Sequence, residues 1–221
     1  MRKTLVTLAL LAAVPVAAQQ PQSQEKDPTV KVKSTGLPAG WTVRLDDKER
    51  RYTVDDTRFV SMGSGYHVTS GPAAVYYSKN DVFTGPSTIG GSFRQTKAPM
   101  HPEAYGLFIG GSKLDTPEQQ YMYFLVRGDG KYFVAHRAGS EVHKIVDWTE
   151  SAAVKKQDDA GVATNALAIQ TTKDSVLLSV NGQRVQSFAK SALHGFVTDG
   201  QAGIRVNHNL DVHVADFGIR K

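Results

Sequence analysis

From Trp41 onward, short apolar stretches alternate with Gly, Asn, Asp and Ser, with a break roughly every 8–12 residues, the texture of a sandwich or barrel. No long amphipathic helix is predicted; only Thr149 to Lys156 has room for a short one. Two hairpins are well marked. In 121–137 an apolar run meets Gly128-Asp129-Gly130 and returns as Lys131-Tyr132-Phe133-Val134-Ala135-His136. In 175–188 the chain turns at Asn181-Gly182, a pair suited to a two-residue turn because both positions tolerate positive φ. Further strands are predicted at 41–45, 66–70, 73–77, 90–95, 104–109, 142–147, 165–171, 203–206 and 210–219. Two antiparallel sheets packed face to face bury that many apolar faces economically.

Alternation assigns facing. In the second hairpin Val176, Leu178, Val180 and Val185 share the core face. In the first, a two-residue turn at Asp129-Gly130 would pair Arg127 with Tyr132 and Tyr123 with His136. Tyr121, Tyr123, Arg127, Tyr132 and His136 then line one face, and Met122, Phe124, Val126, Phe133 and Ala135 the other.

Ahead of the β texture, Arg2 and Lys3, an apolar run over 5–16 and the small residues Val16-Ala17-Ala18 read as a signal peptide over 1–18. The run is too short for a membrane span of roughly 20 residues. Residues 19–36 form a polar leader with almost nothing to bury, and 37–221 a single β-sandwich domain. This predicts a periplasmic or extracellular bacterial protein with no membrane anchor after processing. Its 26 basic and 21 acidic residues give +5, which falls to +3 without Arg2 and Lys3. The longest basic cluster, Lys48-Glu49-Arg50-Arg51, contains a glutamate, so nucleic acid is not an expected partner. The chain has no cysteine, which excludes disulfides, thiolate metal sites, cysteine nucleophiles and lipoprotein anchoring.

The C-terminal half carries a recognisable order: Asn165-Ala166-Leu167-Ala168-Ile169, a strand over 176–180 closed by Asn181-Gly182, Gly203-Ile204-Arg205-Val206, and Val212-His213-Val214-Ala215-Asp216-Phe217-Gly218-Ile219. This resembles the concanavalin A-like lectin/glucanase jelly rolls. More narrowly, it resembles the secreted bacterial domain labelled a 3-keto-disaccharide hydrolase domain, sometimes grouped with family 16 glycoside hydrolases. The resemblance covers about Tyr105 to Lys221. It implies an all-β, two-sheet antiparallel jelly roll and a sugar-containing ligand, bound or cut. The departure is equally clear. A family 16 glucanase carries Glu-x-Asp-x-x-Glu, and here the glutamates after Trp41 stand alone at 49, 103, 118, 141 and 150. Glycoside hydrolysis needs two carboxyls at a set separation, and no local pair offers it.

Candidate ligand-binding residues are Tyr121, Tyr123, Arg127, Tyr132, His136 and Trp148. Rings stack on sugar C–H faces, and Arg and His donate to hydroxyls. Tyrosines also cover half-buried strands routinely. Trp148 suits either a core or a sugar platform, and Trp41 suits a core anchor. Candidate catalytic residues are His101 and Glu103, two apart at a strand entrance, and Asp211 and His213, which share a strand face. The stretch from Arg205 to His213 reads either as one strand or as a hairpin turning at Asn207-His208-Asn209; related jelly rolls end in two antiparallel strands, which favours the hairpin. No metal ligand set and no cofactor are expected, and the sequence carries no signature for or against a structural calcium ion. The expected function is therefore an exported carbohydrate-binding or surface-interaction module without catalysis. The alternative is a sugar-active hydrolase or lyase of the 3-keto-glycoside type. Arg127-Gly128-Asp129 is a turn in this context, the glycine-bearing loops lack a phosphate-binding setting, and there is no Gly-x-Ser-x-Gly elbow.

Overall fold

A computed structural model describes residues 32, 35–46 and 51–221. The expected signal peptide, most of the leader and Lys48, Glu49 and Arg50 lie outside the described residues. Regular structure among the described residues consists of strands and two short 3-10 turns, Val54–Asp56 and Lys190–Ala192. The strands are β1 (Trp41–Leu45), β2 (Thr57–Met62), β3 (Gly65–Ser70), β4 (Ala74–Ser78), β5 (Val82–Phe83), β6 (Ser87–Gln95), β7 (Ala104–Ser112) and β8 (Gln120–Arg127). They continue with β9 (Lys131–Ala138), β10 (Glu141–Glu150), β11 (Ala163–Thr171), β12 (Ser175–Val180), β13 (Gln183–Ala189), β14 (Gly200–Val206) and β15 (Asp211–Arg220).

The strands form two antiparallel sheets. One runs β1-β4-β14-β7-β8-β9-β10, with β5 paired to β14; the other runs β13-β12-β11-β6-β15-β3-β2. Their inner faces meet in a core that includes Phe59, Val68, Tyr76, Ile89, Phe93, Tyr105, Leu107, Phe124, Ile169, Leu178, Ile204 and Val212. The expected all-β sandwich is therefore the observed fold. Trp41 anchors its edge as expected: it packs edge-on to Phe59 at 4.9 Å, and its indole N–H donates to Tyr66 Oη at 3.2 Å.

The second hairpin follows its sequence. Asn181 and Gly182 take φ of 51° and 79°, and Val176, Leu178 and Val180 are buried with Val185 packed against the same core. The first hairpin does not. Arg127 pairs with Lys131, leaving Gly128, Asp129 and Gly130 in the loop, with Gly130 at φ 89°. This three-residue loop with a left-handed last residue shifts β9 by one relative to a two-residue turn. The shift exchanges the faces of β9. Tyr132, Val134 and His136 now share the inner face with Met122, Phe124 and Val126, while Phe133, Ala135 and Arg137 join Tyr121, Tyr123, Leu125 and Arg127 outside.

Two smaller corrections follow. The segment after Glu150 is a turn rather than a helix: Ser151 N–H donates to the Gly130 carbonyl and Gln157 N–H to the Gly128 carbonyl, laying it across the β8–β9 loop. The chain does turn after Val206, with Asn209 at φ 56°, yet β14 and β15 do not pair. The turn carries the chain from one sheet to the other. Ser70 fixes it by donating to the Asn207 carbonyl at 2.5 Å and accepting from Leu210 N–H at 3.2 Å.

Candidate functional site

The outer face of the eight-stranded sheet holds a second apolar cluster, separate from the core: Val75, Tyr77, Ala104, Phe108, Leu114, Tyr121, Tyr123, Leu125, Phe133 and Ala135, with Trp148 against it. Its rings form a continuous series. Phe108 lies 5.4 Å from Tyr121, Tyr121 5.7 Å from Tyr123, Tyr123 6.1 Å from Phe133, and Phe133 stacks on Trp148 at 4.8 Å. Offset aromatic contacts of this kind make a rigid floor.

Charged groups are set into that floor. Arg205 on β14 donates to Tyr121 Oη at 2.9 Å and to Asp46 at 3.0 Å, and its guanidinium lies 4.7 Å from the Tyr123 ring centre. Arg137 on β9 forms an ion pair with the same Asp46. Burial raises the Asp46 carboxyl, and the two guanidiniums outweigh it, so the group is held below the usual carboxylate range. Burial likewise pushes Tyr123 up, opposed by Arg205. Arg44 on β1 reaches the Leu114 carbonyl at 2.7 Å. At the more open side, Arg127 lies 4.4 Å over Trp148 and makes a two-pronged ion pair with Asp129 at 2.9 and 2.5 Å.

A carboxyl sits at the end of this sheet. Glu103, only 5% exposed, lies 3.0 Å from His208 Nε2, and Asn207 hydrogen-bonds to it. Burial pushes the Glu103 carboxyl up to about 8, against the pull of Asn207, Arg127 and Arg205. Burial, with His101 nearby, pushes the His208 imidazole down. Both shifts disfavour charge, so the pair prefers a neutral carboxyl beside a neutral imidazole.

The four candidate catalytic residues fall into separate settings. Glu103 keeps His208 as partner, with His101 nearby at an exposed bend. Asp211 and His213 belong to the outer face of the other sheet. There Asp211 pairs with His67 at 3.2 Å and accepts from Thr69 at 3.0 Å and from the Thr96 hydroxyl. Desolvation raises Asp211, but these partners prevail and hold it well below the usual range. His67 and His213 share a shallow pocket with Arg94 and Met62, their rings 6.4 Å apart.

The six candidate binding residues also divide. Tyr121, Tyr123, Arg127 and Trp148 share the outer face of the eight-stranded sheet. Tyr132 does not: it is in the core, edge-on to Phe124 at 6.2 Å, with its hydroxyl donating to the Val185 carbonyl at 3.3 Å. His136 lines a cavity of about 610 Å³ with His143, His194, Phe188 and Phe196, and lies 4.6 Å from Phe196. Burial first, then His143, lowers its imidazole. Asp46, Arg44, Arg137 and Phe133 were missed as members of the outer face. A three-residue reading of Gly128-Asp129-Gly130 would have recovered Phe133 and Arg137; nothing in the sequence marks Asp46. Among the described residues, no three His, Asp or Glu side chains are placed to hold a metal ion, and no helix is long and apolar enough to cross a membrane.

No protein-family model and no curated protein matches the chain. Solved structures do. The carbohydrate-binding module CBM66 from Bacillus subtilis matches with a TM-score of 0.59 and 12% identity, over 86% of this chain and 100% of its own. A variant of alginate lyase A1-II' matches with a TM-score of 0.54 and 11% identity, over 81% and 93%. A Bacteroides ovatus mixed linkage glucan GH16 protein, solved with a product, matches with a TM-score of 0.54 and 9% identity, over 79% and 92%. At such identities the likeness speaks for the fold, and that fold serves binding modules, lyases and hydrolases alike. The chain shares the two-sheet jelly-roll fold of these structures.

Proposed function

We propose that the protein is an exported carbohydrate-binding or surface-interaction module that takes a sugar at the Trp148 side of the eight-stranded sheet. The observation that carries this reading is the half-buried Trp148, backed by Phe133 and accompanied by Arg127 at 4.4 Å. A half-buried indole with a guanidinium over its ring offers apolar surface and hydroxyl donors together. The packed floor beneath them limits the ordering cost of binding. A carbohydrate-binding module among the fold neighbours supports the reading at the level of fold. A glycan array on the purified chain tests it. Binding to at least one glycan, lost in Trp148→Ala and weakened in Arg127→Ala, is the expected result; an array with no binding overturns it.

A second reading, a sugar-active hydrolase or lyase of the 3-keto-glycoside type, is favoured by Glu103. A carboxyl that keeps its proton near neutral pH suits a general acid, with His208 at 3.0 Å to exchange the proton. Turnover of a 3-keto-glycoside that Glu103→Gln abolishes would move the assignment to this reading. Turnover untouched by Glu103→Gln would remove Glu103 from it.

A further inference from the structure

The outer face of the eight-stranded sheet carries more buried positive charge than its own carboxylates neutralise. Arg44, Val75, Arg205, Gly106, Leu125 and Phe133 lie in one register row across β1, β4, β14, β7, β8 and β9. Arg44 and Arg205 are two strands apart in that row, about 10 Å by strand spacing. Arg137 joins Arg205 through Asp46. Arg137 is 3% exposed and Arg205 6%. Among the described residues, these three guanidiniums have one carboxylate in contact, Asp46. Arg44 has a backbone carbonyl as its acceptor, and Asp115, near Tyr77, is on an exposed loop. Burial raises the Glu103 carboxyl and so weakens its negative charge, and its close partner is His208 rather than any of these three arginines. The Arg127 charge is matched by Asp129.

A second, independent observation concerns the donors. The Nε of Arg44, of Arg137 and of Arg205 is buried and without a hydrogen-bond partner. Three unmatched donors on one sheet face, all from guanidiniums, are costly in an apolar setting unless an acceptor arrives. A neutral hydroxyl would satisfy a donor and leave the surplus charge. A carboxylate satisfies both, and its planar pair of oxygens matches the guanidinium fork.

We propose that this face selects a glycan bearing carboxylate groups, a uronate, with the acid group received by the Arg44, Arg137 and Arg205 set. This rests on the sugar-binding reading above and names its ligand class. The test uses the full chain and calorimetric titration with three probes: oligogalacturonate, the same oligosaccharide after carboxyl reduction, and dextran sulfate. The expected result is oligogalacturonate binding at least about tenfold tighter than the reduced chain, the size of one charge-assisted contact, and weakening as salt is raised. Arg44→Gln should erase most of that ratio. Arg44→Lys should restore it only in part, because a lysine lacks the fork. Arg44 is the variant of choice because its side chain makes one hydrogen bond, and a melting curve checks the fold. Equal affinity for the acidic and reduced chains would overturn the proposal. Dextran sulfate binding as tightly as the uronate would overturn the carboxylate assignment. Neutral glycans bound and the uronate refused would sink this inference alone, whereas no glycan bound at all would sink the sugar-binding reading with it.

Discussion

Glu103 and His208 sit 3.0 Å apart at the end of the eight-stranded sheet, each pushed by burial toward its uncharged form. The carboxyl titrates from an ordinary 4.5 up to about 8 on folding. The folded state then binds the proton more tightly than the unfolded chain, so this group favours folding most below about 4.5 and loses that contribution as pH rises toward about 8. His208 acts in the opposite sense: its lowered imidazole costs stability once pH falls below the ordinary histidine value of 6.5. Melting temperatures of Glu103→Gln across pH 5 to 8 should therefore fall less steeply than those of the parent. Parallel curves would show that Glu103 ionises freely.

Tyr132 and Trp148 should separate stability from binding. Tyr132 is 5% exposed and packed in the core, so Tyr132→Ala should cost about 3–5 kcal/mol in denaturant unfolding. Trp148 is half-buried on the outer face, so Trp148→Ala should cost less and remove glycan binding. Loss of binding in a well-folded Tyr132 variant with Trp148 intact would contradict the assignment of faces.

Gly130 holds the register of β9. Its φ of 89° is open to glycine and strained for side-chain-bearing residues, and Gly130→Val should destabilise by about 1–2 kcal/mol, read from chemical denaturation. A neutral result would mean that the loop can adopt another turn.

Asp211 should control acid stability. With His67, Thr69 and Thr96 holding its carboxylate, its contribution is present above the ordinary 3.8 and is lost as pH falls below that value. Asp211→Asn should be less stable than the parent at neutral pH, with the gap closing in acid. A gap constant with pH would show that the ionised form is not the one stabilised.

The fold was legible because its signals are local. Asn181-Gly182 forces a tight turn, and alternation in Val176–Val180 then sets facing without further information. The candidate site was legible only in part. Tyr121 and Tyr123 follow β8 parity and were placed on the right face, but Tyr132 and His136 depended on the length of a loop that one glycine conformation decides. The Glu103–His208 pair was hidden for a different reason. Its members are over a hundred residues apart, joined by the turn between sheets, and chain proximity carries no trace of such a meeting. The strand Thr57–Met62 is absent from the predicted strands; it starts directly after a 3-10 turn whose capping box is closed by Thr53 and Asp56.

The turn at 207–210 also sets an order on folding. It delivers β14 between β4 and β7 and β15 between β6 and β3, so each strand fills an interior place in its sheet after all its partners have been synthesised. The eight-stranded sheet cannot close its hydrogen-bond ladder until the chain has emerged to about Val206, and the seven-stranded sheet not until about Arg220. Until its last strand arrives, each sheet has a gap flanked by unpaired strand edges, the state in which β proteins are open to wrong partners. For this jelly roll, committing to structure late is a property of its strand order.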